Sequence, residues 1–198
     1  EEIDTLGGIV FLRTGRVPLR GEIVPVAGAV DDAFARVLTP ALAARAKVVT
    51  GGITAANAAV AADGAALCLV VSERVAARAA RSVEIVSGVT LGGDPAGPGT
   101  APVAAIALAL AGAGIGPASL ERSEVMEAYA AQAIACVEGA GLDPMRVNLA
   151  GGALARGHPV GAAGAVLAVR LFHDLGRGHG LAAIAAAGGI GTALVLRG

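Results

Sequence analysis

Between Pro102 and Ala113 the chain reads PVAAIALALAGA, a run of helix-forming alanine, leucine, isoleucine and valine with no charged residue on any side. A helix that is apolar all round cannot lie on a wet surface, so it demands a fold that places a layer on either side of it. The wider uncharged run from Pro95 to Leu120 also invites a membrane span, but Pro98, Pro102, Pro117 and the intervening glycines break any helix long enough to cross a bilayer. Burial between layers is therefore the expectation. A chain of 198 residues with 55% hydrophobic content can supply such a core in one or two domains.

The flanking segments set the fold class. From Glu1 to about Leu38 short apolar runs, Ile9 to Leu12 and Ile23 to Val26, are broken by Gly15, Pro18, Gly21 and Pro25 and read as loops with short strands. Thr39 followed by Pro40 predicts a capped short helix to Arg45. Gly51 to Gly64 reads as a loop, Ala65 to Val71 as a buried strand that points Cys68 into a core, and Ser72 as the cap of a helix with Glu73 in its first turn. Val83 to Leu91 and Arg122 to Met126 are strands, and Ala128 to Gly139 is a helix ended by glycines that holds Cys136 in a structural role. Val160, Ala163, Leu167 and Leu171 share one face of a long helix ending at His173, Asp174 and Gly176. Leu181 to Ala187 and Thr192 to Leu196 are two last strands, turned by Gly188, Gly189 and Gly191. This alternation predicts an α/β fold, a layered mixed β-sheet with buried helices.

Several function classes fall away. A net charge of -1 with 2% aromatic residues leaves neither a basic track for phosphates nor a platform for bases, so nucleic acid is not an expected partner. Cys68 and Cys136 are too few for a disulfide scaffold and show no paired metal spacing, so no metal is expected. His173 and His179 read as solvated or helix-end charges. No secretory leader opens the sequence, which begins at Glu1 rather than Met, and a reducing cytoplasm is the expected location.

The chemistry concentrates in Asn148 to Ala165, NLAGGALARGHPVGAAGA. Its glycines permit tight turns, and His158 stands just before Pro159 and a helix, where unpaired N–H groups and the macrodipole favour developing negative charge. A His at such a place suits oxyanion stabilisation; on Gly-x-His-Pro alone, an ordinary glycine loop is the alternative.

The longer string resembles the C-terminal signature of thiolases, the acyl-CoA acetyltransferases. Three further segments are similar in the same order: Gly51 to Ala66 (GGITAANAAVAADGAA) to the family's glycine-threonine-valine-threonine-alanine-glycine-asparagine run, Glu127 to Gln132 (EAYAAQ) to its Asn-Glu-Ala-Phe helix start, and Ala185 to Gly191 (AAAGGIG) to its Cys-x-Gly-Gly-Gly loop. The resemblance covers about Gly21 to Gly198 and implies one thiolase half, with residues 58–198 as the C-terminal domain. It makes residues 1–57 a remnant of the loop region that covers coenzyme A, with Glu22 to Val26 and Asp31-Asp32 in that loop.

The resemblance also assigns roles. His158 becomes the oxyanion donor, Gly157 and Ala187 offer backbone N–H groups, and Asn57 and Ala59 line the coenzyme A side. Three family positions are substituted: the water-holding Asn is Met126, the acid/base Cys is Ala185, and the coenzyme A-contacting Ser is Ala59. The substrate implied is an acyl-CoA thioester, with no further cofactor, in lipid metabolism. The nucleophilic cysteine belongs to an N-terminal half or second subunit, and homo-oligomers are compatible with this. The expected function is an acyl-CoA acyltransferase impaired by these substitutions; the alternative is a catalytically inactive thiolase-like protein that binds acyl-CoA or a partner.

Overall fold

Alternating strands need neighbours, and most of those expected find them in one mixed sheet. A computed structural model describes residues 5–6, 9–10, 22–30 and 39–198. In chain order the elements are β1 Thr5–Leu6, β2 Ile9–Val10, α1 Pro40–Ala44, β3 Val48–Thr50, β4 Ile53–Thr54, α2 Glu73–Ala76, β5 Glu84–Gly92 and α3 Ala101–Gly112. They continue with β6 Leu120–Val125, α4 Ala130–Gly139, α5 Ala153–Arg156, α6 Ala163–Asp174, β7 His179–Ala186 and β8 Ile190–Arg197. Asp31, Asp32 and Leu12 lie outside the described residues.

The principal sheet runs in the order β5-β8-β7-β6, with β6 parallel to β7 and the other two pairs antiparallel. Because side chains alternate along a strand, its two faces separate cleanly. Leu181 and Ala183 of β7 and Ala193 and Val195 of β8 pack with Ile106, Leu110, Ile134 and Val137 from α3 and α4. Ala182 of β7 and Leu196 of β8 pack on the other face with Ala163, Leu167 and Leu171 from α6. The architecture is helix, sheet, helix, in agreement with the α/β expectation.

Local chemistry accounts for the ends. Thr39 accepts a hydrogen bond from the Leu42 N–H and caps α1, with Pro40 in its first turn. Arg81 donates to the carbonyls of Phe172 and Leu175 at the end of α6, where carbonyls have no partner within the helix. The β7–β8 turn uses Gly188 and Gly189, both at positive φ, whereas Gly191 lies inside β8.

Three expectations are corrected. Ala65 to Val71 forms no strand: Leu67, Leu69 and Val70 are 95%, 88% and 74% exposed, and Cys68 is exposed rather than buried. The run has the composition of a strand but no sheet edge beside it. The helix expected between two layers, α3, buries Ala105, Ile106 and Ala109 on the sheet while Ala104, Ala107, Leu108 and Ala111 remain exposed. Finally, the long helix after His158 begins at Ala163, and Val160 is exposed in the turn before it.

The two faces of α3 differ in what truncation removes. Ile106→Ala should cost about 2–5 kcal/mol in urea unfolding, as for other fully buried aliphatic side chains, and Leu108→Ala less than about 1 kcal/mol. Equal losses would mean that the outer face is covered too.

Candidate active site around His158

The site is assembled at the free side of β6. Beyond that strand the chain returns as Val147 and Asn148, and Val147 makes an isolated parallel bridge to Ser123. The Asn148 N–H donates to the Ser123 carbonyl at 2.9 Å. Its carboxamide then takes both backbone groups of Val125: Oδ1 accepts from the N–H at 2.8 Å and Nδ2 donates to the carbonyl at 2.8 Å. Asn148 reaches this position with φ at 48°, a left-handed conformation that asparagine tolerates better than most residues.

Asn148 Nδ2 also donates to Glu127 Oε1 at 2.6 Å, and Glu127 Oε2 accepts the Leu154 N–H at 3.1 Å. Leu154 lies in the first turn of α5, whose N-cap Gly152 has no side chain to offer, so a carboxylate from another segment caps this short helix. A Cβ at Gly152 would collide with that carboxylate, which explains the glycine. The helix ends at Gly157, at φ 89°, where a Cβ would meet Ala62 Cβ at 2.6 Å. His158 follows directly.

Residues 57–62 hold His158 from the other side. The His158 N–H donates to the Val60 carbonyl at 2.7 Å and its carbonyl accepts the Ala62 N–H at 3.3 Å. The same stretch is tied to the start of α4: the Ala59 N–H donates to the Ala128 carbonyl at 2.9 Å, and the Ala130 N–H to the Asn57 carbonyl at 2.9 Å. Asn57 shapes its own turn, with Oδ1 accepting the Thr54 N–H and Nδ2 donating to the Gly52 carbonyl. The structure thus joins Asn57, Ala59, Met126, Gly157 and His158 through residues 57–62 and the β6–α4 junction.

The other two candidates sit further along the sheet. Met126 is 2% exposed in the core beside α6, and its N–H donates to the Ala183 carbonyl of β7. Ala185 lies two residues beyond on that strand, partly buried, and Ala187 is exposed in the β7–β8 turn. Neither the thioether at 126 nor the methyl at 185 transfers a proton.

Beneath the loop lies a charged cluster that no sequence motif marks. The side chain of Arg170, on α6, is 4% exposed; Nε donates to Glu124 Oε2 at 3.0 Å, Nη2 to the Gly151 carbonyl at 2.7 Å, and Nη1 to Glu22. Burial pulls Arg170 down, but Glu124 and Glu22 outweigh it and hold its pKa above the ordinary value. Burial pushes Glu124 up to about 7 against the pull of Arg170, and it also raises Glu127. Arg156, whose Nε and Nη2 are buried without a hydrogen-bond partner, has its pKa lowered by burial and then by Arg170. A signal for this cluster was present in the sequence: Arg170 falls three residues after Leu167 and beside Leu171, inside the apolar stripe of α6, where an arginine must be paired.

His158 itself has a lowered pKa, first from burial and then from the charge of Arg156, so its imidazole is neutral at pH 7. Among the described residues Nδ1 is buried with no hydrogen-bond partner. A proton stranded there would be an orphaned donor, so the Nε2–H tautomer is favoured. That leaves Nε2–H as a donor beside the start of a helical segment, suited to an oxyanion.

The model of the family described as the thiolase C-terminal domain matches residues 79–198. An acetyl-CoA acetyltransferase of Rhizobium meliloti is 46% identical over 151 residues, which are 73% of this chain and 38% of that protein. The cytosolic acetyl-CoA acetyltransferase of Mus musculus is 38% identical over 75% of this chain and 38% of its own length. Among solved structures, a thiolase of Ascaris suum in complex with coenzyme A superposes with a TM-score of 0.78 at 30% identity, over 91% of this chain and 50% of that one. The acetyl-CoA acetyltransferase of Bacillus anthracis gives 0.80 at 32% identity, over 84% and 45%. The chain therefore spans between about two-fifths and one-half of the length of these relatives, and its fold is the thiolase fold.

The raised pKa of Glu124 makes stability depend on pH with a definite sign. Between its ordinary 4.5 and about 7 the folded chain holds a proton that the unfolded chain releases, so this contribution is full below 4.5 and declines as pH rises toward 7. Glu127 acts in the same direction and His158, being lowered, in the opposite one. Glu124→Gln should therefore flatten the parent's decline in urea midpoint between about pH 5 and 7. An unchanged slope would show that Glu124 stays ionised throughout.

Proposed function

The chain belongs to the thiolase family, and on that premise we propose that it is the C-terminal part of an acyl-CoA acyltransferase of the acetyl-CoA C-acetyltransferase class. The observation that carries this reading is the convergence on His158 of three segments separated in sequence, 57–62, 126–130 and 148–158. They leave a neutral imidazole whose Nε2–H suits the oxygen of a thioester as it gains negative charge. The coenzyme A thioester is the substrate and the chemistry needs no further cofactor; the resemblance places Asn57, Ala59 and residues 22–26 on the coenzyme A side.

Thiolysis and the reverse condensation require an acyl-accepting thiolate, a group that moves the α-proton, and oxyanion donors. His158 and the N–H groups at Gly157 and Ala187 serve the last requirement. The thiolate comes from an N-terminal half, in the same polypeptide or a second subunit. Losing a general base costs about 10²–10⁴ in rate and an oxyanion donor about 10²–10³, so Met126 and Ala185 together favour strongly impaired turnover. That observation supports the second reading, a thiolase-like protein that binds acyl-CoA or a partner without turnover. No described helix is long and apolar enough to cross a membrane; location in the cytoplasm is part of the proposal.

The exposed segment 65–71 supports the need for a counterpart. Its side chains are apolar on both sides, as in strands covered on both faces, and among the described residues its backbone groups have no hydrogen-bond partner. The isolated chain should bind hydrophobic dye and self-associate at micromolar concentration, and Leu67→Lys with Leu69→Lys should reduce both. A dye-silent monomer in sedimentation would rule out the need for a counterpart.

Catalysis gives a separate test. With a cysteine-bearing N-terminal half supplied, coenzyme A-dependent loss of acetoacetyl-CoA enolate absorbance should stay near background. Ala185→Cys with Met126→Asn should raise it by about 10² or more, beyond either single change. Robust turnover by the parent would place the proton-moving group elsewhere. Because Ala59 removes a polar contact, calorimetry should find coenzyme A binding weaker than about 1 μM.

A further inference from the structure

We propose that Arg170 is a positioning residue for His158, and that through Glu22 it makes the placement of segment 22–30 and of the His158 loop a single event. That the loop faces a coenzyme A thioester rests on the functional reading above; the clamp itself does not.

The loop between Asn148 and His158 is fastened at three points spaced three residues apart. Asn148 is held by Val125 and Glu127, the Leu154 N–H by Glu127, and the Gly151 carbonyl, between them, by Arg170. The first and last anchors come from β6 and the residues just after it. Arg170 supplies the polar tie to α6, which lies across the sheet face and against whose Ala163, Leu167 and Leu171 the Ala153 methyl also packs. Without it the Gly151 carbonyl would need another donor, and the stretch between Asn148 and the four-residue α5 would lose its middle anchor, leaving the ties at Asn148, Leu154 and His158.

A guanidinium suits this task because its donors point in fixed, diverging directions. Here one edge meets Glu124 on β6, one meets the Gly151 carbonyl, and Nη1 meets Glu22 at the rim, whose side chain is 41% exposed. Segment 22–30 makes a turn of its own, Val26 pairing with Ala29, and among the described residues its ion pair with the domain is that of Glu22 with Arg170. When Glu22 leaves, Nη1 becomes a buried donor that must find an acceptor. The remaining carboxylates that act on it are Glu124, which it already holds, Asp174 on its own helix, and Glu127, which anchors the loop, so turning the guanidinium toward a new acceptor draws Nη2 away from the Gly151 carbonyl. Arg156, with Nε and Nη2 unpartnered and interacting with Glu22, Glu124 and Glu127, is the charge that competes for them.

Two readouts that require no ligand test the clamp. Arg170→Lys keeps the charge but cannot reach three diverging acceptors. If Arg170 positions His158, loosening the loop admits water and the imidazole titration followed by NMR rises toward its ordinary value. Arg81→Gln serves as the control, because Arg81 caps the far end of α6 and touches neither the loop nor Glu22. It should lower the melting temperature and leave the His158 titration where it was. Glu22→Ala, on the half-exposed rim, removes the acceptor of Nη1 and tests the coupling. Hydrogen exchange should quicken severalfold in residues 148–158 as well as in 22–30, although Glu22 makes no hydrogen bond to that loop. An unchanged His158 titration in Arg170→Lys, or faster exchange confined to 22–30 in Glu22→Ala, would overturn the proposal. Absence of any calorimetric coenzyme A binding would overturn the acyl-CoA reading alone, since neither readout uses the ligand.

Discussion

Unpaired backbone groups at the free side of β6 are the constraint on which the site depends. A strand edge that is buried must have its N–H and C=O groups satisfied, and no further full strand is available there. Val147 and Asn148 do the work in two residues: backbone pairing with Ser123, then a side-chain carboxamide that offers Val125 the acceptor and donor a neighbouring strand would have offered. Placing the carboxamide there forces Asn148 into a left-handed conformation, and that conformation turns the chain into the glycine loop. The position of His158 thus follows from how a sheet edge is sealed.

Sealing the edge with polar groups carries charge into the interior. Glu127 comes down with Asn148 and caps α5, and Arg156, Arg170 and Glu124 interact with it there. Burial opposes the ionisation of Glu124 more strongly than Arg170 favours it, and so pushes its pKa up to about 7. The same low-dielectric surroundings, with the charge of Arg156 two residues away, keep His158 neutral. A neutral imidazole with a single proton is a donor that remains one across neutral pH, so the electrostatics of the scaffold and the requirement of an oxyanion site coincide.

Much of this was legible in the sequence, for local reasons. Thr39-Pro40, the alternation of β5, and the paired glycines between β7 and β8 are signals that neighbouring residues complete among themselves. The family resemblance grouped Asn57, Ala59, Met126 and His158 in one site, and hydrogen bonds tie 57–62 both to His158 and to the start of α4. What failed depended on partners remote in sequence. Ala65 to Val71 has strand composition, but a strand exists only where a sheet edge receives it, and composition says nothing of which edge. The apolar outer face of α3 likewise states a demand for cover without naming what meets it. The separate helix α5 was hidden because its cap, Glu127, lies about 25 residues earlier in the chain. Arg170 stood in plain view as a charge on an apolar face, yet its three partners come from three distant segments.

On the proposed reading, the polar residues kept and those replaced differ in what they hold. Asn148 and Glu127 each satisfy backbone groups, so exchanging either for an apolar residue would strand buried donors or acceptors and cost stability whether or not any reaction occurs. The family's water-holding amide and acid/base thiol would have worked on substrate and water instead. Met126 and Ala185 at those positions leave the local backbone paired, with the Met126 N–H still bonded to Ala183 and Ala185 still in register opposite Gly191. Methionine moreover fills a core position beside α6 without a polar atom to satisfy. Proton-moving groups can therefore be lost from this fold with little structural penalty while the frame that presents His158 is retained. Binding and fold then become separable from turnover, the physical basis on which an acyl-CoA-binding reading stands beside a catalytic one.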